Sequence, residues 1–165
     1  MNIGIVYYSR TGNTREVASI IEKKLKGKNR NVEMIEIQHT KKPGVIKAGR
    51  SAITKKYLPI ENSDFDLKKY DMILIGYPTW AGRPATYVNT FMSKAKNIKG
   101  KKVAVFNTCA GPTEDSRKTY NIMKEDLNNL GLKTTDNFIS IRMKKEKILE
   151  GEQNIDDFVS KLIAE

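Results

Sequence analysis

Four hydroxyl or amide side chains crowd into one hexapeptide, Ser9-Arg10-Thr11-Gly12-Asn13-Thr14. They offer neutral hydrogen-bond donors within a single turn, and a helical pattern beginning near Arg15 puts that turn at a helix N-terminus. Converging donors and the helix dipole favour a small anion there, so the chemistry indicated is the holding of a phosphate. A purely structural turn, with Asn13 or Thr14 as N-cap, is the competing reading. The hexapeptide does not fit G-x-x-x-x-G-K-[ST], because no lysine follows a second glycine, and it lacks G-x-G-x-x-G. P-loop nucleotidases and the common dinucleotide folds are therefore disfavoured.

A second cluster, Gly76-Tyr77-Pro78-Thr79-Trp80-Ala81-Gly82-Arg83-Pro84, holds the only tryptophan of the chain. An indole in a loop punctuated by Pro and Gly is suited to stack on a planar ring. Folding back onto the core is the alternative. Ala81 and Gly82 are small enough to let the backbone approach a ring edge. The third cluster, Asn107-Thr108-Cys109-Ala110-Gly111-Pro112-Thr113, reads either as an ordinary Gly-Pro turn or as a loop whose small residues leave N–H groups open to a flat ligand. Cys109 lies too far before Arg117 for the tight cradle of a phosphatase nucleophile and reads as a small residue in a ligand loop.

Little else carries chemistry. His39, the only histidine, has no partner cluster and reads as a surface residue. The acidic pairs Asp64/Asp66 and Asp156/Asp157 lack the spacing of a metal site. With one cysteine, neither an intramolecular disulfide nor a multi-cysteine metal site can form.

The elements that must position the three clusters are short apolar runs and helical faces. Ile3 to Tyr8, Val32 to Ile37, Met72 to Tyr77, Val103 to Asn107 and Phe138 to Ile141 read as five strands. Val17, Ile20, Ile21 and Leu25 mark one helix face, Tyr120, Met123, Leu127 and Leu130 a second, and Phe158, Val159, Leu162 and Ile163 a third. Gly27 and Gly131 are expected helix stops. Near-continuous apolar strands alternating with helices indicate a parallel sheet covered on both faces, which binds ligands beyond the carboxyl ends of its strands. The three clusters follow strands one, three and four. The stretch Gln38 to Tyr70 exceeds an ordinary crossover and carries Lys41, Lys42, Lys47, Arg50, Lys55 and Lys56. Lys144 to Asn154 reads as a solvated connection before the last helix.

The chain has 165 residues, 39% of them hydrophobic, enough for one well-buried core and short for two domains. No apolar stretch approaches the roughly 20 residues of a membrane span, and Ile3 to Val6 lacks the charged leader of a secretory signal. A soluble, cytoplasmic protein is expected. Thirty Lys plus Arg against 19 Asp plus Glu give a formal charge of +11, which draws acidic partners, nucleic acid or anionic lipid non-specifically.

Together, S-R-T-G-N-T after strand one, G-Y-P-T-W-A-G-R-P after strand three and N-T-C-A-G after strand four resemble the flavodoxin family, over nearly the whole chain. The resemblance implies a three-layer α/β/α doubly wound fold with a five-stranded parallel sheet of order 2-1-3-4-5. It implies one flavodoxin-like domain over residues 1–165, with an extended connection between strands two and three at residues 38–70, and non-covalently bound FMN. By that match Ser9, Arg10, Thr11, Gly12, Asn13 and Thr14 wrap the ribityl phosphate. Pro78, Thr79, Trp80, Ala81 and Gly82 border the isoalloxazine, and Thr108, Cys109, Ala110 and Gly111 line its pyrimidine end. A carbonyl near Ala81 or Gly82 would accept a hydrogen bond from the ring edge and favour one-electron steps at low potential.

The expected function is an electron carrier between redox proteins; an FMN-dependent NAD(P)H:quinone or flavin oxidoreductase is the alternative. Two departures from the family pattern matter. The third cluster has no aromatic residue before Tyr120, so the outer flavin face is expected to be open. The chain is basic where typical members are acidic, so its redox partners are expected to be acidic if charge steers docking. Basic residues spread over several helices without an aromatic reading motif give no case for specific nucleic-acid binding. A receiver domain would need an aspartate at the end of strand three, where Tyr77-Pro78-Thr79 stands.

Overall fold

The computed structural model describes residues 1–41, 44–62 and 65–164; Lys42 of the basic run and Asp64 of the first acidic pair lie outside the described residues. β1 (Asn2–Tyr7) leads through α1 (Asn13–Gly27) to β2 (Asn31–Glu36), and α2 (Val45–Ile53) lies in the long connection to β3 (Met72–Trp80). A two-residue β4 (Arg83–Pro84), α3 (Tyr87–Lys94), β5 (Lys102–Cys109) and α4 (Ser116–Asn129) follow. β6 (Lys133–Lys144), β7 (Lys147–Glu150) and α5 (Ile155–Ala164) complete the chain.

The strand order is β2-β1-β3-β5-β6-β7, with β4 paired to β3. The five long strands pair in parallel, from Asn2 against Asn31 at one side to Cys109 against Arg142 at the other. They are the expected five in the expected order. β4 and β7 add antiparallel extensions, so the stretch expected as a solvated connection, Lys144 to Asn154, instead contains a strand. Its turn residues Lys145 and Glu146 both have positive φ, 49° and 62°, without the Gly or Asn that normally announces such a hairpin.

Alternation along the strands gives the sheet two apolar faces. Val6, Ile73, Ile75, Val103 and Val105 pack under α3 and α4 with Phe91, Tyr120 and Met123. Ile3, Ile5, Leu74, Ala104 and Phe106 pack under α1 and α5 with Val17, Ile21, Phe158 and Leu162. Gly76 lies where these cores demand close approach: a Cβ there would overlap the Phe106 ring. Gly131 follows α4 with φ 87° and acts as the expected stop, whereas α1 continues through Gly27 and ends at Lys28, with Asn29 in the left-handed region.

Strand order reverses between β1 and β3, since the chain moves outward to β2 and then crosses back. The crevice beyond the carboxyl ends of β1 and β3 is where open α/β sheets bind ligands, a rule for which the flavodoxin fold is itself a known example.

Candidate functional site

The loop from Ser9 to Gly12 leaves β1 and turns into α1 at Gly12, whose φ of 91° needs a residue without Cβ. Gly12 offers no side chain to cap the helix, so the N–H groups of Asn13 and Thr14, the first two of α1, are left for an anion. Within the loop, the Arg15 N–H donates to Ser9 Oγ at 3.3 Å. The guanidinium of Arg15 turns away onto Glu36, with Nη2–Oε1 2.6 Å and Nε–Oε2 3.1 Å. That fork, chiefly through hydrogen bonding, raises the Arg15 pKa further. Its charge is matched by Glu36, and the turn itself is lined by hydroxyls and amides together with Arg10.

Three of the predicted clusters meet here. One cleft of about 140 Å³ is lined by Arg10, Thr11, Asn13 and Thr14 from the first loop, Pro78, Thr79 and Trp80 from the second, and Thr108, Cys109 and Ala110 from the third. Ser9 and Gly12 open onto an adjoining concavity of about 330 Å³ with Gln38, His39 and Glu146. Ala81, Gly82 and Gly111 lie at exposed turns beside the cleft. So small a volume can enclose a phosphate and one edge of a ring, with the remainder of a flat ligand lying across the rim. A larger groove of about 840 Å³ runs along β6 between α4 and α5, with Arg117, Phe138 and Phe158 among its walls; of the three clusters only Thr113, the last residue of the third, lines it.

Hydrogen bonds tie the clusters together. The Thr14 and Thr108 hydroxyls share a buried bond of 2.9 Å, and Asn107 Nδ2 donates to Thr79 Oγ1 at 2.8 Å. Each contributes about 1 kcal/mol net. Asn107 Oδ1 is buried with no partner among the described residues. Cys109 ends β5, buried, its thiol donating to the Gly111 carbonyl at 3.3 Å. It lies in the strand, where a loop was expected.

The second cluster is likewise a hairpin where a loop was expected. β3 runs through Pro78 to Trp80, pairs with β4, and turns at Ala81 and Gly82, whose φ values of 47° and 71° are those of a two-residue hairpin turn. The Gly82 carbonyl accepts a hydrogen bond from Thr119 Oγ1 at 3.3 Å. Trp80 is half-buried and packs against the core, and it also lines the cleft. Its ring stands edge-on to Tyr8 at 5.6 Å and to Tyr87 at 6.1 Å, contacts worth roughly 0.5–1.5 kcal/mol each. Burial, reinforced by Tyr87, pushes the Tyr8 phenol far above its ordinary range and keeps it neutral.

Several residues at the site had no sequence signal. Tyr8 forms the floor beneath Trp80, and Met143 closes the cleft from β6. The Glu146 N–H donates to Asn13 Oδ1 at 2.8 Å, and Arg142 Nε to the Ala110 carbonyl at 3.2 Å, so the β6–β7 hairpin straps the first and third loops. His39, read as a surface residue, is half-buried with its ring 5.8 Å from Tyr8.

Residues 2–159 match the family model described as flavodoxin. The chain is a member of the flavodoxin family. It is 28% identical over 137 residues to a flavodoxin of Synechocystis sp., covering 80% of this chain and 67% of that one. Among solved structures, the chain is similar to a flavoprotein in complex with FMN from Lactobacillus acidophilus NCFM, with TM-score 0.70 and 26% identity over 95% and 97% of the two chains. The fold is also that of oxidised flavodoxin 2 from Bacillus cereus, with TM-score 0.63 and 22% identity over 99% and 97%. No helix among the described residues is long and apolar enough to cross a membrane.

Proposed function

We propose that this flavodoxin carries FMN in the cleft beyond β1, β3 and β5 and passes electrons singly between larger redox proteins. The observation that carries the reading is the meeting of three loops with complementary chemistry in one place: the first two N–H groups of α1 with neutral donors beside them, a half-buried indole, and small residues that leave room for a flat ring. FMN supplies the redox chemistry. The protein supplies position and electrostatics. Ser9, Thr11, Asn13 and Thr14 bind the phosphate through uncharged donors, and Trp80, held edge-on by Tyr8 and Tyr87, orients the ring and excludes water from one face. We read residues 1–165 as one domain of a cytoplasmic protein, with acidic redox partners opposite its positive charge.

One feature favours a second reading. The third loop offers Ala110 and Gly111 to the rim and no aromatic ring, which leaves room for a small hydride donor or quinone and fits an NAD(P)H-dependent oxidoreductase. Reconstitution with FMN followed by steady-state turnover of NAD(P)H and a quinone separates the two. Stoichiometric FMN binding with negligible turnover supports the carrier; sustained turnover supports the enzyme.

A further inference from the structure

Between Gln38 and Ile60 the chain carries six Lys or Arg residues and no Asp or Glu. Within that stretch α2 buries Ala48, Ser51 and Ala52 and leaves its opposite side in solvent. Val45 is 73% exposed and Ile46 88%, and Ile53 and Tyr57 are more than half exposed. Among the described residues only six large apolar or aromatic side chains are exposed, and four of them belong to this connection. Single exposed apolar residues are ordinary, but a ridge of β-branched side chains standing in water marks an interaction site. Lys47 and Arg50 flank it, while Lys55 is paired to Asp126 at 3.3 Å.

The ridge adjoins the cleft. Gly49 faces the β3–β4 turn, where a Cβ on it would stand 3.8 Å from the Ala81 methyl, and Trp80 next to Ala81 lines the cleft. An apolar centre with a cationic border is the complement of an apolar patch with an acidic border. Resting on the FMN electron-carrier reading above, we infer that the exposed side of α2, centred on Ile46 and Ile53, is the docking surface for an acidic redox protein. It sets a partner's electron acceptor beside the ring edge at the Ala81 turn. Charge steers the approach, and the ridge retains the partner once water is expelled.

The test uses the FMN-loaded protein with microsomal cytochrome b5 as the acidic probe and cytochrome c as the basic control. Amide shifts of the isotope-labelled protein on adding cytochrome b5 should fall in Val45 to Tyr57 and at Ala81 and Gly82, and should fade as salt rises. Ile46→Ser with Ile53→Ser should weaken binding about ten-fold, and slow electron transfer from the reduced protein to cytochrome b5 in parallel. Reaction with benzoquinone, which needs no docking, should be unchanged. Equal affinity of variant and wild type, shifts elsewhere, or tighter binding of cytochrome c would overturn the inference while FMN stays bound. Loss of FMN by the variant would overturn it too, by placing these side chains in the cofactor site. Binding to phosphatidylserine vesicles that the variant loses, with cytochrome b5 binding unaffected, would assign the ridge to lipid. A wild-type protein that takes no FMN would bring down the function proposed above, and this surface with it.

Discussion

The loop after β1 and the connection after β2 leave the same end of the sheet and are built on opposite principles. The first is short, held from three sides by Thr108, Glu146 and the first turn of α1, and its turn presents neutral donors at fixed places. The second is long, carries six cations between Gln38 and Ile60 with no acidic residue among them, and leaves isoleucines in water. A small anion is captured by directional hydrogen bonds, which need rigidity. A macromolecule is attracted at long range by net charge and held by area, which do not.

The sharpest way to break this contrast is affinity for FMN. Thr14→Val removes a buried hydroxyl from the cradle and leaves Thr108 unpaired, so FMN should bind about ten- to a hundred-fold more weakly by fluorescence titration. Lys47→Glu with Arg50→Glu should leave that affinity within about two-fold, because these charges lie beyond a rigid binding turn. Comparable losses in both would make the two regions one site.

Two glycines extend the comparison to stability. Gly76→Ala drives a methyl into the Phe106 ring in a packed core and should cost about 1–3 kcal/mol in denaturant unfolding. Gly49→Ala meets only ordinary contact at Ala81 and should stabilise α2 by about 0.5–1 kcal/mol. The opposite signs express the difference between backbone that must approach a neighbour and helix that need not.

How much of this was legible follows from how local each signal is. The phosphate turn could be read because its donors are neighbours in sequence, and the strands because each is a continuous apolar run. Met143 and Glu146 reach the same site from some 130 positions away through a hairpin whose turn, Lys145-Glu146, has none of the usual residues. Positive φ there is imposed by tertiary contacts, among them the Glu146 bond to Asn13. Trp80 gave an ambiguous signal for a similar reason: the pairing of Thr79 and Trp80 with β4 turned a Pro- and Gly-rich stretch into a strand end. Its partner Tyr8 was readable only as the last residue of the first expected strand, Ile3 to Tyr8.

The smallest expected effect concerns buried phenols. Tyr77 is fully enclosed, its hydroxyl has no partner among the described residues, and burial raises its pKa well above the ordinary value. A raised pKa in the fold gives stability that is complete below the unfolded value, about 10, and is lost as pH climbs beyond it, since the unfolded chain releases a proton the fold retains. Stability should therefore fall above about pH 10, and Tyr77→Phe should flatten that fall. At neutral pH the same change should alter stability by less than about 1 kcal/mol, because no hydrogen bond is lost.

The central claim is that uncharged donors at the start of α1 hold the phosphate of FMN while Trp80 lies at its ring. Titration of cofactor-free protein with FMN and with riboflavin, followed by flavin fluorescence, tests it most directly. One equivalent of FMN should be quenched, with riboflavin bound far more weakly for want of the phosphate. Unquenched FMN, or equal affinity for the two flavins, would contradict the account.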